Sequence, residues 1–361
     1  MDGTIEPHEA VERAQAAGLT FQRSDPLNCE TPITALIGGI AMPTSHFYVR
    51  NHFRIPKLDS SSWRLNVAGL VRRPLTLSLQ DLQNMRSQTL IVTMECAGNG
   101  RALLDPPTDG EQWGLGAASI AEWSGIPLVE VLETAGVETS AREVVFRGAD
   151  GGTVATRSGV TRFERSLELG VALEPDVLLA YAMNGEPLPP EHGYPLRLVV
   201  PGWYGVASVK WLTEVEVIGS AFDGFFQSER YFYEWERSGQ AVREPVMLQR
   251  VRSLITEPAQ DAEVANGDLA VRGLAWSGAG PIARVEVSVA GGDWESARLV
   301  GERHSYSWQR WELITRTPGP GVTSLRARAT DHAGHTQPDQ PEWNRLGYGS
   351  NAVQEVSIRV R

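Results

Sequence analysis

Cys96 lies in the stretch TMECAGNGR, residues 93–101, and is one of two cysteines in the chain. Two glycines and an asparagine follow it closely, and Arg101 comes soon after. Thiolates are soft ligands for transition metals, and glycine allows a bulky group to approach the backbone. A free cysteine more often packs as a small buried hydrophobe. The metal-ligand interpretation is favoured here, because a core cysteine needs no cationic turn beside it.

Basic side chains recur in two further segments. In FYVRNHFRIP, residues 47–56, Arg50, His52 and Arg54 alternate, so they would share one face of an extended chain. A solvated strand face is the alternative. Residues 183–211 contain a second set of cations near glycine-rich turns: His192, Arg197 and Lys210. Such a set can bind phosphate, although ordinary loops carry the same residue types.

Short strands and helices must position these residues. Hydrophobic periodicity and capping signals predict helices over 9–17, 78–85 and 119–137, the last interrupted at Gly125–Pro127. Alternation of apolar and polar residues predicts strands at 63–71, 88–96, 143–151 and within 195–219. The strand at 88–96 ends at Cys96, so the cysteine motif is expected at the end of a strand.

The pattern changes after residue 245. Short alternating runs follow, separated by turns rich in Gly, Pro, Asn and Asp: 269–276, 282–294, 307–316, 322–334 and 352–360. This regular spacing is typical of an antiparallel β-sandwich of roughly immunoglobulin size. A length of 361 residues also exceeds what one hydrophobic core usually supports. We therefore predict two domains, 1–245 and 246–361.

Composition excludes several functional classes. The net charge of −11, without a basic stripe, argues against a nucleic-acid partner. No apolar stretch approaches the roughly 20 residues that span a bilayer, so no membrane association is expected. Two cysteines form neither a disulfide framework nor a haem or iron–sulfur pattern. The acidic N-terminus has no secretory signal, which predicts a cytoplasmic protein; a removed leader would instead indicate the periplasm.

Taken together, several segments resemble the signatures of the sulfite oxidase family of molybdenum enzymes, in the family's order: FYVRNH, ECAGNGR, DVLLAYAMNGEPLPPEHGYPLR and VVPGWYGVASVKW. The tail beginning SLITEP is similar to the family's C-terminal dimerisation domain. The resemblance covers nearly the whole chain. It implies an α+β protein, in which a mixed α/β molybdopterin-binding domain precedes an immunoglobulin-like antiparallel β-sandwich that forms a homodimer.

The resemblance also implies the cofactor and its ligands. Molybdenum would be held by the dithiolene of molybdopterin, with the Cys96 thiolate as the protein ligand. The family's cofactor-binding positions fall on these residues: Phe47, Tyr48, Val49, Arg50, Asn51, Cys96, Asp150, His192, Arg197, Ser208, Val209 and Lys210. Histidine, arginine and lysine donors suit the terminal phosphate of the cofactor, and an aspartate can accept hydrogen bonds from the pterin amino groups.

The same resemblance implies an anion pocket and a reaction. The pocket positions fall on Arg50, His52, Arg101, Trp113 and the family's catalytic tyrosine, Tyr231. Packing within the core is the alternative for the tryptophan and the tyrosine. The implied reaction is oxidation of sulfite to sulfate by oxygen-atom transfer. Because the chain shows no haem segment, the electrons would pass to an external acceptor, a cytochrome or another carrier, or to oxygen.

Three departures from the vertebrate-type pattern leave the substrate open. Gly100 and Ala207 stand where those enzymes carry arginines, and Arg345 precedes Leu346 in EWNRLGYGSN, whereas the vertebrate order is reversed. A third pocket arginine is therefore an open question. Two alternatives remain at this point: a nitrate reductase-like enzyme acting on another small oxyanion, and a catalytically silent cofactor-binding or interaction protein.

Overall fold

The computed structural model describes residues 3–36, 39–237 and 239–361. Its α-helices are short: α1 (Pro7–Ala16), α2 (Leu79–Gln83), α3 (Leu128–Ala135), α4 (Leu169–Ala172) and α5 (Phe225–Ser228). Single 3-10 turns occur at Ile33–Ala35, Thr44–His46, Arg101–Leu103, Pro190–His192 and Gly205–Ala207. α1 confirms the predicted first helix, and Ser78 caps α2 through a reciprocal capping box with Asp81.

The strands up to residue 245 are β1 (Thr20–Ser24), β2 (Leu27–Glu30), β3 (Leu65–Gly69), β4 (Leu75–Leu77), β5 (Gln88–Glu95), β6 (Ala118–Pro127), β7 (Glu143–Val154), β8 (Arg157–Glu168), β9 (Leu178–Met183), β10 (Glu186–Pro187), β11 (Arg197–Val199), β12 (Leu212–Ile218), β13 (Phe232–Arg237) and β14 (Gln240–Pro245). One sheet has the order β10-β9-β6-β5, with β11 also paired to β9. A second has the order β4-β3-β12-β7-β8. β1 pairs with β2 and β13 with β14.

The prediction of a helix over 119–137 is wrong for its first half. This segment forms β6, which pairs with β5 on one side and β9 on the other, and only then enters α3. Pairing on both sides outweighs the local helical pattern. Gly125 is required inside the strand, because a Cβ there would lie 2.2 Å from the carbonyl oxygen of Leu179.

The segment 47–56 is irregular, so the prediction that its three cations share one extended face is also wrong. A bend at His52 and Phe53 separates Arg54 from the other two. Arg54 points to solvent, where its Nε donates to Asp25 Oδ1 over 3.1 Å. Arg50 and His52 instead turn into the interior.

The C-terminal strands are β15 (Arg252–Glu257), β16 (Ala262–Val264), β17 (Asp268–Trp276), β18 (Ile282–Val289), β19 (Glu295–Val300), β20 (Gln309–Arg316), β21 (Gly321–Asp331) and β22 (Gln354–Val360). They form one curled sheet in the order β15-β17-β20-β19-β18-β21-β22-β16. Val271, Trp311, Val285 and Leu325 belong to one buried cluster that joins the two halves of this sheet. We call residues 252–360 the C-terminal β unit. Its immunoglobulin-like classification stays a prediction.

β5 lies directly against the C-terminal β unit. The backbone N–H of Thr93 donates to the carbonyl of Tyr306 over 2.8 Å, and its hydroxyl accepts from the backbone of Trp308 over 2.7 Å. Buried side chains of both parts pack in one cluster that includes Ala118, Ile120, Leu254 and Trp276. The strand that carries the cysteine motif is therefore held from both sides.

Candidate active site

Two adjoining cavities meet at Cys96. The inner cavity extends from Cys96 toward His192 and Lys210. The outer cavity extends from Cys96 toward Arg101 and Tyr348. Four side chains line both cavities: Arg50, His52, Cys96 and Tyr231. The thiol therefore lies at the junction of two compartments with different linings.

The backbone around Cys96 is fixed by the end of β5 and a tight turn. The N–H of Cys96 donates to the carbonyl of Ala117 over 2.9 Å, and its own carbonyl accepts from Asn99 over 2.9 Å. Burial raises the pKa of the Cys96 thiol, while the positive charge of Arg50 opposes that rise. The ordered, buried thiol becomes a thiolate most readily when a metal cation binds it.

Gly98 and Gly100 of the motif leave room for neighbouring protein atoms, the Arg101 side chain and Ser350. A Cβ on Gly98 would lie 2.6 Å from the guanidinium Nη1 of Arg101. Gly100 adopts a φ of 84°, which side chains disfavour, and it faces Ser350. The interpretation that these glycines make room for a bulky cofactor is therefore wrong, because protein atoms already occupy the space beside them.

The far end of the inner cavity concentrates buried cations. Burial lowers the pKa of His192 to about 3 and that of Arg197 to about 10. Burial, reinforced by the charge of Arg197, also holds the pKa of Lys210 well below its ordinary value. The guanidinium of Arg197 donates to the backbone carbonyls of His192 and Ser208, over 3.0 and 3.2 Å. A bound anion would favour the charged forms of these groups.

Asp150 adds a hydrogen-bond acceptor to the same cavity. Its carboxylate is buried, and Oδ1 has no hydrogen-bond partner among the described residues. Burial raises the pKa of Asp150 to about 7. Asn51 also lines the cavity, with Oδ1 accepting from Lys210 Nζ. An unpartnered acceptor beside buried cations fits a ligand that carries both a phosphate and amino groups.

Most of the predicted cofactor residues line the inner cavity, namely Phe47, Tyr48, Arg50, Asn51, Cys96, Asp150, His192, Arg197, Ser208 and Lys210. Two valines lie elsewhere. Val49 forms a backbone bridge with Cys29 and packs in the cluster beneath α1. Val209 packs its side chain in the main core, and its carbonyl accepts from Leu198 over 2.8 Å.

Arg101 and Trp113 line the outer cavity. The Arg101 guanidinium donates to the carbonyls of Glu111 and Leu346, over 2.9 and 3.1 Å. Arg101 Nε and Trp113 Nε1 are buried without a hydrogen-bond partner among the described residues. Trp113 is also part of the hydrophobic core. The two anchoring carbonyls fix the arginine, and the unpartnered N–H groups are available to a ligand.

Tyr231 and His52 form a neutral pair where the cavities meet. His52 Nε2 lies 2.7 Å from the Tyr231 hydroxyl. Burial, reinforced by the charge of Arg50, holds the pKa of His52 well below its ordinary value. Burial also raises the pKa of Tyr231, against the opposing charge of Arg50. The pair therefore keeps a phenolic proton that can be donated to a ligand.

Tyr348 is a pocket residue that sequence reasoning missed. Its ring stacks on that of Tyr231, with centroids 4.8 Å apart and an interplanar angle of 17°. The guanidinium carbon of Arg101 lies 5.1 Å from the Tyr348 ring centroid. The tyrosine lies in EWNRLGYGSN, next to the altered order of Arg345 and Leu346, and nothing in the local spacing marks it as a pocket residue. The pocket wall at this point is aromatic.

The same segment does not bring Arg345 into the pocket as a further arginine. Arg345 is 53% exposed and pairs with Glu234, whereas Leu346 lines the outer cavity. Ala207 is buried in the core. Arg165, also missed, lies behind Tyr231, with its guanidinium carbon 5.9 Å from that ring. Burial lowers the pKa of Arg165 to about 10.

Across the parts of the chain that the structure describes, no group of three or more His, Cys, Asp or Glu side chains is arranged to hold a metal ion. None of the helices in residues 3–36, 39–237 and 239–361 is long and apolar enough to cross a bilayer.

Comparisons with known proteins agree with this site. Residues 52–226 match the oxidoreductase molybdopterin binding domain, and residues 243–361 match the Mo-co oxidoreductase dimerisation domain. Human mitochondrial sulfite oxidase is 37% identical over 379 residues, which cover 99% of this chain and 68% of that protein. Sulfite oxidase of Arabidopsis thaliana is 32% identical over 391 residues, which cover 100% of this chain and 99% of that protein.

A solved structure is also similar. The crystal structure of the sulfane dehydrogenase SoxCD from Paracoccus pantotrophus gives a TM-score of 0.81 at 30% identity, covering 92% of this chain and 85% of that chain. The fold and the site thus define a molybdopterin-binding oxidoreductase with a dimerisation domain. The chain belongs to the sulfite oxidase family. It spans about two thirds of the length of the mammalian relatives it matches.

Proposed function

We propose that this chain catalyses the molybdenum-dependent oxidation of sulfite to sulfate. The observation that carries the proposal is the position of Cys96 at the junction of two cavities. On one side lie buried basic groups and a carboxylate with one unpartnered oxygen, and on the other lie three arginines, Arg50, Arg101 and Arg230, with a neutral tyrosine–histidine pair. Membership of the sulfite oxidase family supports the same reaction.

The inner cavity would hold molybdopterin. His192, Arg197 and Lys210 would bind its terminal phosphate, because a nearby anion favours the charged forms of desolvated basic groups. Asp150 Oδ1 would accept from the pterin amino groups, and the Cys96 thiolate would be the protein ligand to molybdenum. When bound, the molybdenum cofactor supplies the oxygen-atom transfer and redox chemistry.

The outer cavity would bind the oxyanion. Arg50 and Arg101 supply forked guanidinium donors, which match a small oxyanion and concentrate it locally despite the net charge of −11. With His52 Nε2–H donating to Tyr231 Oη, the tyrosine hydroxyl is free to donate to a substrate oxygen. Trp113 Nε1 is a further donor in the wall. These residues would orient the substrate and stabilise its charge.

We further propose a domain division and a dimer. Residues 1–245 would form the catalytic domain and residues 246–361 the homodimer contact, which the matched dimerisation domain supports. Sedimentation equilibrium of the full chain should give twice the mass of 39.5 kDa. A monomer at micromolar concentration would contradict the dimer without affecting the proposed reaction.

The electron acceptor and the location are also proposals. We propose a separate carrier such as a cytochrome, with oxygen as the alternative acceptor, and a cytoplasmic protein that binds neither nucleic acid nor membrane. Turnover with purified cytochrome c should exceed oxygen consumption at equal sulfite concentration, and cell fractionation should recover the protein in the cytoplasmic fraction. Faster oxygen consumption, or recovery from the periplasm, would contradict the respective proposal.

The decisive experiment combines metal analysis with two assays on the purified protein. We expect molybdenum and pterin to be bound and ferricyanide to be reduced only when sulfite is added. A parallel assay offers nitrate with a reduced dye. Nitrate reduction without sulfite oxidation would favour the nitrate reductase-like alternative, and a bound cofactor without either activity would favour a catalytically silent protein.

A further inference from the structure

Glu95, the last residue of β5, connects the Cys96 loop to the C-terminal β unit. Its carboxylate is 0% exposed. Trp276 Nε1 donates to Glu95 Oε2 over 2.9 Å, and Arg252 Nε lies 2.9 Å from Oε1 in an ion pair whose arginine side chain is 2% exposed. Both partners come from the C-terminal β unit, on β17 and β15. The residue directly before the predicted metal ligand is therefore held by the other part of the protein.

Asn99 connects Glu95 to the rest of the Cys96 loop through hydrogen bonds. Its side-chain amide donates to Glu95 Oε1 over 3.0 Å, and its Oδ1 accepts from the backbone of Ala117 over 3.1 Å. Its backbone N–H donates to the Cys96 carbonyl, and its carbonyl accepts from Arg252 Nη2 over 3.3 Å. Glu95, Asn99 and Arg252 thus enclose Cys96 in one network, which we call the Glu95 network.

A second contact reinforces the first. The backbone N–H of Gly349 donates to the carbonyl of Ala97, the residue after Cys96, over 2.8 Å. Arg252 Nη2 also donates to the carbonyl of Ser350. The C-terminal part therefore contacts the cysteine loop both before and after the thiol, and Arg252 joins the two contacts.

We propose that Arg252 and Trp276 are positioning residues for Cys96, acting through the Glu95 carboxylate. A buried ion pair is a weak source of stability, because desolvation offsets its attraction. The Glu95 contacts instead fix an orientation: the carboxylate accepts hydrogen bonds from the Trp276 indole and the Asn99 amide and forms an ion pair with the Arg252 guanidinium, which leaves the loop one arrangement. Outer partners of this kind orient metal ligands. The inference rests on the proposed function, since it concerns how the metal is held.

The proposal has a consequence for the two parts of the chain. We expect loading of the metal to depend on contacts from the C-terminal β unit. The packing of this unit and the active site are then coupled. Disturbing the Glu95 network should lower metal retention and turnover. The KM for sulfite should change little, because neither Glu95, Arg252 nor Trp276 lines the outer cavity.

Arg252→Met in the full-length holoprotein is the first variant. It leaves a buried carboxylate without its counter-charge, and we expect molybdenum content or kcat to fall about 10- to 100-fold, the usual cost of losing such a partner. Trp276→Phe, which removes only the indole N–H, should cause a smaller loss. Arg272→Gln is the matched control, because it breaks an exposed pair with Glu257 in the same β unit (2.8 Å). The control should retain wild-type loading.

Two double variants separate positioning from stability. Glu95→Met with Arg252→Met removes both charges and should recover the melting temperature but not molybdenum content, because Asn99 and Trp276 lose their acceptor. Glu95→Gln with Arg252→Gln keeps a hydrogen-bonding pair and should recover both. Electron paramagnetic resonance of the sulfite-reduced protein should show an altered molybdenum signal in the Met pair and a wild-type signal in the Gln pair.

The outcomes are distinct. Full molybdenum content and a wild-type signal in the Met pair would overturn the proposal, since the network would then be merely structural. Wild-type loading and kcat in Arg252→Met would overturn it as well. Absence of molybdenum from the wild-type protein would instead overturn the proposed function, before any variant is compared.

Discussion

The inner and outer cavities share four side chains, but the remaining residues of the two linings differ in chemistry. The inner cavity is lined by charged groups that burial drives toward neutrality, among them His192, Lys210 and Asp150. The outer cavity is lined by aromatic rings and by Arg101, which backbone carbonyls hold in place. The inner cavity suits a ligand that stays bound, since a bound anion favours the charged forms of the desolvated basic groups. The outer cavity suits a small anion that exchanges.

Cys96→Ser tests the thiol, which lines both cavities. Serine has nearly the same size, so the fold should be retained, but a hydroxyl is a poor ligand for a soft metal site. We expect sulfite oxidation to be abolished, as measured by ferricyanide reduction. The control is Cys29→Ala, because this second buried cysteine lies in the cluster beneath α1. Full activity in Cys96→Ser would remove the thiol from the mechanism.

Lys210→Met tests the inner cavity. Removing one partner of a buried charge pair costs about 2–5 kcal/mol, or on the order of 30- to 5,000-fold in affinity. We expect pterin to be lost during gel filtration, as measured by fluorescence of the oxidised pterin. The KM of whatever fraction stays loaded should equal that of the wild type. Unchanged pterin retention would mean that this lysine does not bind the cofactor.

Arg101→Met tests the outer cavity. A hydrogen bond to a charged group is worth about 1.5–3 kcal/mol, so the KM for sulfite should rise roughly 10- to 100-fold. Molybdenum and pterin content should stay at the wild-type level. Arg345→Met is the matched control, because that arginine is exposed and paired with Glu234. Equal KM values for the wild type and both variants would place the anion elsewhere.

Tyr348→Ala tests the contribution of aromatic stacking in the outer cavity. A stacked aromatic pair contributes about 0.5–1.5 kcal/mol, so kcat/KM for sulfite should fall about 2- to 10-fold as Tyr231 loses its partner. Tyr348→Phe keeps the ring and should behave as the wild type. If both variants lose activity equally, the hydroxyl and not the stacking is what the pocket uses.

Asp150→Asn tests the inner cavity by a different measurement, the stability of the cofactor-free protein. Between the ordinary pKa of 3.8 and the raised value of about 7, folded Asp150 keeps a proton that the unfolded chain has released. The free energy of unfolding therefore falls as pH rises through this window. Asparagine lacks that loss, so its melting temperature should exceed that of the wild type increasingly from pH 4 to 7. A pH-independent difference would contradict the raised pKa.

The two cavities also differ in how far the sequence predicted them. Inner-cavity residues such as His192 and Arg197 sit in continuous motifs such as EHGYPLR, and the resemblance of these motifs to the family's signatures implies their role. Tyr348 reaches the outer cavity from the far end of the chain, and Tyr231 stacks on it only after folding. Such a contact between distant segments leaves no local periodicity.

The fold shows the same limit. Clear alternation predicts strands such as β17 and β22 correctly, whereas the local pattern over β6 predicts a helix, because its partners β5 and β9 come from other parts of the chain. The Glu95 network was likewise invisible, since Glu95 and Arg252 are far apart in sequence. Long-range pairing decides these features, and sequence spacing does not record it.

The central claim is that the Cys96 thiolate binds molybdenum where the two cavities meet. Molybdenum K-edge X-ray absorption of the wild type and of Cys96→Ser, both loaded with cofactor, tests it most directly. We predict that the serine variant loses one sulfur from the metal's nearest shell and gains a lighter oxygen ligand or none. Indistinguishable sulfur scattering in the two proteins would contradict the claim.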